Sequence, residues 1–353
     1  MTDSQPHLVL HVIDSLGNVG GAEQQLVEQL RRFSDRRLRH AVVCLYKTGP
    51  GQSRDALLPS TVSLFHLFDT NERKPTRWQA QKRLNSLVLQ LEPDLIHCSL
   101  PDASLASRIV ARRRKLPLIE TLVNISHEQV RTEGNPSVTP LKLAFHRLLD
   151  RATMRSVTRF QAISPAVAES WSRVVGLSQA RMSVIPRGID TEAFAGVDRQ
   201  DTRRKIRNEL SLPESALILL NLGREQPQKG QRFLIEAMSQ IVASVPEAIL
   251  LIAGSPGLQS QVLRQNVADR GLEATVRFLG RRQDVLQLLG ASDLFVFPSV
   301  YEGLGVSLLE AMAAGLAVIT TDRPPMSEVV DHDVNGVLVP AGDPTAIASL
   351  ILP

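Results

Sequence analysis

Apolar residues along the chain fall into two recurring patterns. Short, nearly continuous apolar runs read as strands at 7–13 (HLVLHVI), 40–46 (HAVVCLY), 62–68, 94–98, 117–123 and 159–164. Between them, at about 22–33, 76–91, 102–114 and 139–155, apolar and polar residues alternate with helical spacing. The alternation then restarts. Strand-like runs recur at 217–223 (LILLNLG), 248–254, 275–279, 293–298 and 316–321, with helical stretches at about 229–243, 258–270, 283–290 and 305–314. Apolar strands separated by helices predict parallel sheets covered on both faces. The stretch 181–215, polar and broken by Pro and Gly, is expected to link the two halves. The expected fold class is therefore α/β, with two doubly wound domains, 1–185 and 186–353. They are expected to face across a cleft at the carboxyl ends of their strands, where open α/β sheets bind ligands.

Length and composition agree with that division. A chain of 353 residues suits two domains, and 43% hydrophobic with 22% charged residues is ordinary for a globular protein. Cys44 and Cys98 lie in apolar runs and are expected as reduced core residues. No apolar stretch approaches the roughly 20 residues that span a bilayer, and no basic segment precedes the first apolar run as in a secretory signal. A cytoplasmic location is the expectation. Charge is uneven: residues 1–185 carry 25 Lys and Arg against 16 Asp and Glu, a net +9, and the remainder carries 15 against 20, a net −5. A basic first half suits an anionic partner. Aromatics at 4% argue against a base-stacking nucleic-acid platform, so no nucleic-acid partner is expected.

Three motifs carry candidate chemistry. Gly17-Asn18-Val19-Gly20-Gly21-Ala22-Glu23 joins a strand to a helix, where glycines and free N–H groups admit an anion; a plain tight turn is the alternative. Gly223-Arg224 ends a strand six residues ahead of Lys229-Gly230. Two cations beside a helix N-terminus make a diphosphate clamp, unless they are a solvated surface pair. Phe297-Pro298-Ser299 closes a strand and leads into Tyr301-Glu302-Gly303-Leu304-Gly305-Val306-Ser307-Leu308-Leu309-Glu310. That spacing lets Glu302 in the loop and Glu310 in the helix face one site. One would hold sugar hydroxyls and the other a ribose diol. The alternative makes Glu302 a helix cap and Glu310 a solvated residue, but Glu310 lies in an almost apolar run, where a carboxylate needs partners.

These motifs, with Val184-Ile185-Pro186-Arg187-Gly188-Ile189-Asp190, Gly315 to Asp322, Glu328 and Asn335-Gly336, occur in an order that resembles a known family. The chain resembles, over nearly its whole length, the retaining nucleotide-sugar glycosyltransferases of the two-Rossmann-domain architecture called GT-B, specifically family 4. The resemblance implies two Rossmann-like domains, the first binding the acceptor and the second the nucleotide sugar. It implies catalytic roles for Glu302, Arg224 and Lys229, the two cations clamping the diphosphate and Glu302 contacting the transferred sugar. Donor contacts are implied for Gly20, Gly21, Gly303, Leu304, Gly305, Glu310 (on the ribose) and Arg282 (near the base). Glu23 and His127 fall on the acceptor side. Many members carry a histidine in a Thr-x-His pattern after the fifth strand. Here Val123 takes that place, and His127 reaches the same cleft only where the loop folds back; otherwise it is a structural residue. Members of the family continue into a helix that crosses back to the first domain, and that helix is expected to be missing from a sequence ending at Leu350-Ile351-Leu352-Pro353.

The activity so implied is transfer of a hexose from a UDP- or GDP-sugar to a hydroxyl of a glycan, lipid-linked sugar or small glycoside. Anomeric configuration is retained, and neither metal nor other cofactor takes part. Asp331-His332-Asp333, similar to a metal-binding motif of a different transferase architecture, is expected in a surface turn without a role. The alternatives are a phosphorylase or sugar-phosphate synthase on the same fold, and a nucleotide-sugar-binding module without turnover. Residues 141–151 (LKLAFHRLLDR) read as a basic amphipathic helix. It is either half-buried or lies reversibly on an anionic membrane, which would place the protein at the inner face of the cytoplasmic membrane.

Overall fold

The computed structural model describes residues 6–17, 21–49, 53–70, 72, 75–132 and 138–352. Contacts divide the chain into two compact units, Met1–His127 with Leu141–Arg187, and Glu128–Pro140 with Gly188–Pro353.

In unit 1 the chain runs β1 (His7–Ile13), α1 (Gly21–Arg32), β2 (Leu38–Tyr46), β3 (Ser63–Phe68), α2 (Arg77–Leu91), β4 (Leu95–Ser99), α3 (Pro101–Arg114), β5 (Leu118–Leu122), α4 (Pro140–Thr153), β6 (Arg159–Ala162), α5 (Pro165–Ser170) and β7 (Met182–Val184). The strands form one parallel sheet in the order β3-β2-β1-β4-β5-β6-β7. The apolar runs expected as strands are its strands, because residues such as Leu10, Val12, Val42 and Val43 are fully enclosed. Helices start where local chemistry satisfies their free N–H groups. Thr76 accepts from the Gln79 N–H and Gln79 returns a bond to the Thr76 N–H, while Pro101 opens α3 where no N–H partner is needed.

One face of this sheet carries a row of polar side chains. His40 Nδ1 lies 3.0 Å from His11 Nε2, His11 Nδ1 lies 2.9 Å from His97 Nδ1, and His97 Nε2 lies 2.8 Å from Thr121 Oγ1. Thr121 in turn donates to Gln161 Oε1 at 3.2 Å. The row crosses β2, β1, β4, β5 and β6 in their spatial order. Burial, with like neighbours adding to it at His11, holds His11 and His97 below the ordinary histidine range, His97 at about 4, and burial also lowers His40.

In α4 one side is partly enclosed, with Leu143 buried and Arg147, Leu149 and Asp150 half-buried, and several apolar residues are exposed. Leu141, Phe145 and Leu148 are 81%, 54% and 67% exposed. No helix among the described residues is long and apolar enough to cross a membrane.

Unit 2 continues with α6 (Thr191–Ala195), α7 (Arg199–Glu209), β8 (Leu217–Leu222), α8 (Gln231–Ser244), β9 (Ala248–Ala253), α9 (Ser260–Asp269), β10 (Val276–Gly280), α10 (Val285–Ala291), β11 (Leu294–Phe297), α11 (Val306–Ala313), β12 (Ala317–Thr321), β13 (Val337–Val339) and α12 (Pro344–Ser349). Its sheet is parallel, in the order β10-β9-β8-β11-β12-β13. Every residue of β9, Ala-Ile-Leu-Leu-Ile-Ala, is buried, as expected for a central strand covered on both faces. The stretch 181–215, expected as a linker, instead holds β7, α6 and α7. Charge hid α7: Arg207 is buried and donates to the carbonyls of Pro213, Glu214 and Ala216 and to Asp293, so a residue that reads as solvent-facing closes the end of the helix.

Candidate active site

In unit 2 Arg224, Lys229 and Glu302 lie where β8 and β11, neighbours in the sheet, release the chain at their carboxyl ends, whereas Glu310 sits on α11 and Arg282 follows β10, two strands from β8. Lys229 stands just ahead of α8, and its Nζ lies 2.6 Å from Glu302 Oε1. Ser299 Oγ donates to the same oxygen at 2.9 Å, and the Lys229 ammonium lies 5.3 Å from the Phe297 ring centroid. Glu302 is buried, and Lys229 and Ser299 supply its polar partners. Thr321 holds Ser299 from beneath through a 2.7 Å bond to its carbonyl.

Glycines permit this approach. Gly230 has a left-handed φ of 64°, and a Cβ there would stand 1.9 Å from the Pro298 carbonyl oxygen. A Cβ at Gly254 would stand 2.0 Å from the Gly223 carbonyl oxygen. Val300 N–H donates to Gln228 at 2.8 Å, which ties the Lys229 turn to the loop that carries Glu302. The buried Gln231 amide donates to Asn221 and to the Gly223 carbonyl, both at 3.0 Å, and Asn221 donates to Val296 on β11. The loop that bears Arg224 is thereby fastened to both strands.

Arg224 is exposed. Tyr301 lies within electrostatic reach of Arg224, Glu302 and Arg131, and burial raises its phenol above the ordinary range against the two cations. Gly303, Leu304 and Gly305 are buried, and Gly305 is the N-cap of α11 with no side-chain cap, so Glu302 does not cap that helix. Glu310, expected as a buried carboxylate, is only partly buried on α11, because its flank of the helix lies outside the core that encloses Leu308 and Ala311. Arg282, implied near the base, gives its guanidinium to Asp284 at 2.7 and 2.5 Å and to Glu209 at 2.7 Å. Asp331–Gly336 is a turn, in which the Asp331 N–H donates to the Asn335 side chain.

In unit 1, Gly20 lies outside the described residues, while Gly21 opens α1 and Glu23 stands in its first turn. His127 is enclosed within that unit. Its Nε2 lies 2.8 Å from Asp150 Oδ2 and its ring meets Trp171 edge-on at 4.8 Å. Asp150 also pairs with the buried Arg108, which grips Glu120 with two 2.7 Å bonds. The loop after β5 therefore carries His127 into a structural network. Sequence reasoning missed a cavity of about 310 Å³ at the carboxyl ends of β2 and β4, lined in part by Tyr46, Thr76, Arg77, Gln81 and Asp102, in which the Tyr46 hydroxyl donates to Asp102 at 3.0 Å. It placed Ser299 and Tyr301 in the third motif without a role and did not single out Arg131. Among the described residues no group of three or more His, Cys, Asp or Glu side chains has metal-holding geometry.

Two family models match the chain. The model for glycosyl transferases group 1 matches residues 202–352, and that for Glycosyltransferase Family 4 matches residues 19–193. The chain is 26% identical over 264 residues to an Escherichia coli UDP-Gal:alpha-D-GlcNAc-diphosphoundecaprenol alpha-1,3-galactosyltransferase, an alignment covering 74% of the chain and 66% of the relative. It is 33% identical over 177 residues to a GDP-mannose-dependent monoacylated alpha-(1-6)-phosphatidylinositol monomannoside mannosyltransferase of Corynebacterium glutamicum, covering 48% of the chain and 45% of that protein. The chain thus spans less than two thirds of either relative. Among solved structures, Anabaena HepE in complex with UDP and glucose superposes with a TM-score of 0.79 at 24% identity, covering 97% of this chain and 88% of that one. Two Rossmann-like domains, each with a parallel sheet, are the GT-B architecture. Within it, the chain belongs to the family 4 glycosyltransferases.

Proposed function

We propose that the protein transfers a hexose from a nucleoside-diphosphate sugar to a hydroxyl acceptor with retention of configuration. The observation that carries this reading is the Lys229–Glu302 pair, set beside Arg224 and a glycine loop at the carboxyl ends of β8 and β11. Arg224 and Lys229 hold the diphosphate, and Glu302 holds hydroxyls of the sugar. Glu310 takes the ribose diol, and the amides of Gly303, Leu304 and Gly305 lie along the phosphates. The two cations stabilise charge on the departing diphosphate, so no metal is required. The acceptor oxygen attacks from the leaving-group face. The bond from the anomeric carbon to the diphosphate oxygen breaks, the new glycosidic bond forms, and the diphosphate takes the acceptor's proton. Glu302 is held by Lys229 and Ser299, which suits a ligand for hydroxyls better than a free nucleophile.

Unit 1 binds the acceptor. Its cavity offers Tyr46, Thr76, Gln81 and Asp102 to sugar hydroxyls and Arg77 to an anionic substituent, and Glu23 stands near the helix start that follows the glycines. A glycan, a lipid-linked sugar or a small glycoside fits this chemistry. The relatives' names include both UDP and GDP donors, and either base fits a site that reads the diphosphate. The exposed apolar residues of α4, with Lys142, Arg147 and Arg151 on the same helix, support reversible contact with an anionic membrane. The test supplies UDP- and GDP-hexoses with hydroxyl acceptors in EDTA. Acceptor-dependent release of nucleoside diphosphate and an axial product from an axial donor are expected. An inverted product overturns retention, and loss of turnover that manganese restores overturns metal independence. Turnover only with phosphate or a sugar phosphate assigns the phosphorylase or synthase reading instead.

A further inference from the structure

Next to Arg224 the chain places a second charge that the proposed reaction does not use. Glu225 is fully buried, and Arg264 on α9 meets its carboxylate with both terminal nitrogens, at 2.7 Å to Oε2 and 3.3 Å to Oε1. Burial would raise this carboxyl, but the hydrogen bonds from Arg264 and Ser260 prevail and hold it below its ordinary value. The backbone is fixed as well. Glu225 N–H donates to Ser255 at 3.1 Å, and Gln259 N–H donates to the Glu225 carbonyl at 3.0 Å. Arg264 is itself placed by a 2.8 Å bond to the Ser260 carbonyl and by stacking 4.3 Å from the Phe278 ring.

We propose that Glu225 and Arg264 form a positioning pair that keeps Arg224 exposed and available to the donor diphosphate. The inference rests on the reading in which Arg224 binds that diphosphate. Two physical effects combine. A buried carboxylate anchored to α9 and to residues 255–259 leaves the Arg224 backbone little freedom, so its side chain leaves the loop in one direction. An unpaired carboxylate adjacent in sequence would compete with the phosphates for Arg224. Arg264 occupies both of its oxygens and removes that competitor. Losing Arg264 would leave a buried, unpaired carboxylate, which must take up a proton or turn towards another cation, and Arg224 is its sequence neighbour.

The experiment is a double-mutant cycle read as the Kd of UDP, GDP and ADP by titration calorimetry, with thermal unfolding measured beside it. Arg224→Ala is expected to weaken diphosphate binding about tenfold or more. Arg264→Met is expected to weaken it severalfold in the natural background and to change nothing further in the Arg224→Ala background. Arg264→Lys keeps the charge but not the two-pronged contact, and should recover part of the affinity. Glu225→Gln/Arg264→Gln removes both charges and tests the pair where Arg264→Met does not fold. Full additivity of Arg264→Met with Arg224→Ala overturns the proposal, as does unchanged affinity in both pair variants. Unchanged affinity in Arg224→Ala itself overturns the underlying reading of Arg224 and this inference with it.

Discussion

Lys229 and Glu302 form an ion pair at 2.6 Å. A diphosphate entering beside them must share Lys229 with the carboxylate. Glu302→Gln keeps the shape of the side chain and frees the ammonium. Transfer should therefore slow about ten- to a hundredfold, the range for loss of one charge-assisted contact to the sugar, while affinity for bare nucleoside diphosphate stays level or tightens. Glu310→Gln should act oppositely and weaken binding of the bare nucleotide, since its proposed partner is the ribose. Product assays alongside nucleotide titrations separate the two, and parallel losses of both quantities in Glu302→Gln would remove it from the sugar. At this scale the sequence was informative where residues lie in short segments that the fold joins: Lys229, in the loop after β8, meets Glu302, in the loop after β11. It was silent where a partner lies outside those segments. Nothing near Glu225 in the chain announces Arg264, and nothing near His127 announces Asp150 and Trp171.

Among the elements, the strands that carry the histidine row make unit 1 sensitive to acid. The three imidazoles are held below the pKa they have in an unfolded chain, about 6.5. Above that pH both states are neutral and the row adds no pH dependence. As pH falls below 6.5 the unfolded chain takes up protons that the native row refuses. Stability is then lost down to about pH 4, where His97 also protonates, at up to about 1.4 kcal/mol per pH unit for each fully resistant imidazole. Asp14 works the other way: burial raises it to about 7, so its native state binds a proton first and gains stability as pH falls from 7 towards 4. The row is isolated by comparison with a variant. Urea unfolding of His97→Gln should show a shallower loss between pH 6.5 and 4 than the natural chain, and equal slopes would refute the account. Strands were the most legible elements because their apolar runs are enclosed on both faces. The same logic failed for α7, where a charged, nearly apolar-free stretch forms a helix by burying Arg207 against carbonyls.

For the molecule as a whole, the sequence divides into a basic part, +9 over residues 1–185, and an acidic part, −5 over the rest. The exposed Leu141, Phe145 and Leu148 lie in the basic part. Co-sedimentation with vesicles rich in anionic lipid should therefore be strong at low salt. It should fall steeply as salt rises, because surface charges are screened within about 8–10 Å near physiological ionic strength. Phe145→Glu should reduce binding at every salt concentration, and absence of binding at low salt would leave α4 a solvated helix. Architecture at this scale was legible from the restart of the strand–helix alternation. Grouping of Glu128–Pro140 with unit 2 was not, since it depends on contacts that no local pattern encodes.

The histidine row also has a direction. Gln161 turns its amide nitrogen to the Ile185 carbonyl, at 3.4 Å, so its oxygen receives the Thr121 hydrogen. Thr121 can then only accept from His97, which must carry its hydrogen on Nε2 and offer a bare Nδ1. His11 is obliged to protonate Nδ1, leaving Nε2 to receive the hydrogen on His40 Nδ1. The row ends at His40 Nε2, a buried lone pair with no partner among the described residues. One hydroxyl hydrogen thus dictates three tautomers, and none can reverse unless all do. Peptide dipoles alternate along a strand and largely cancel; this row lays a polarity of its own across the sheet, pointing from β2 towards the end of β7.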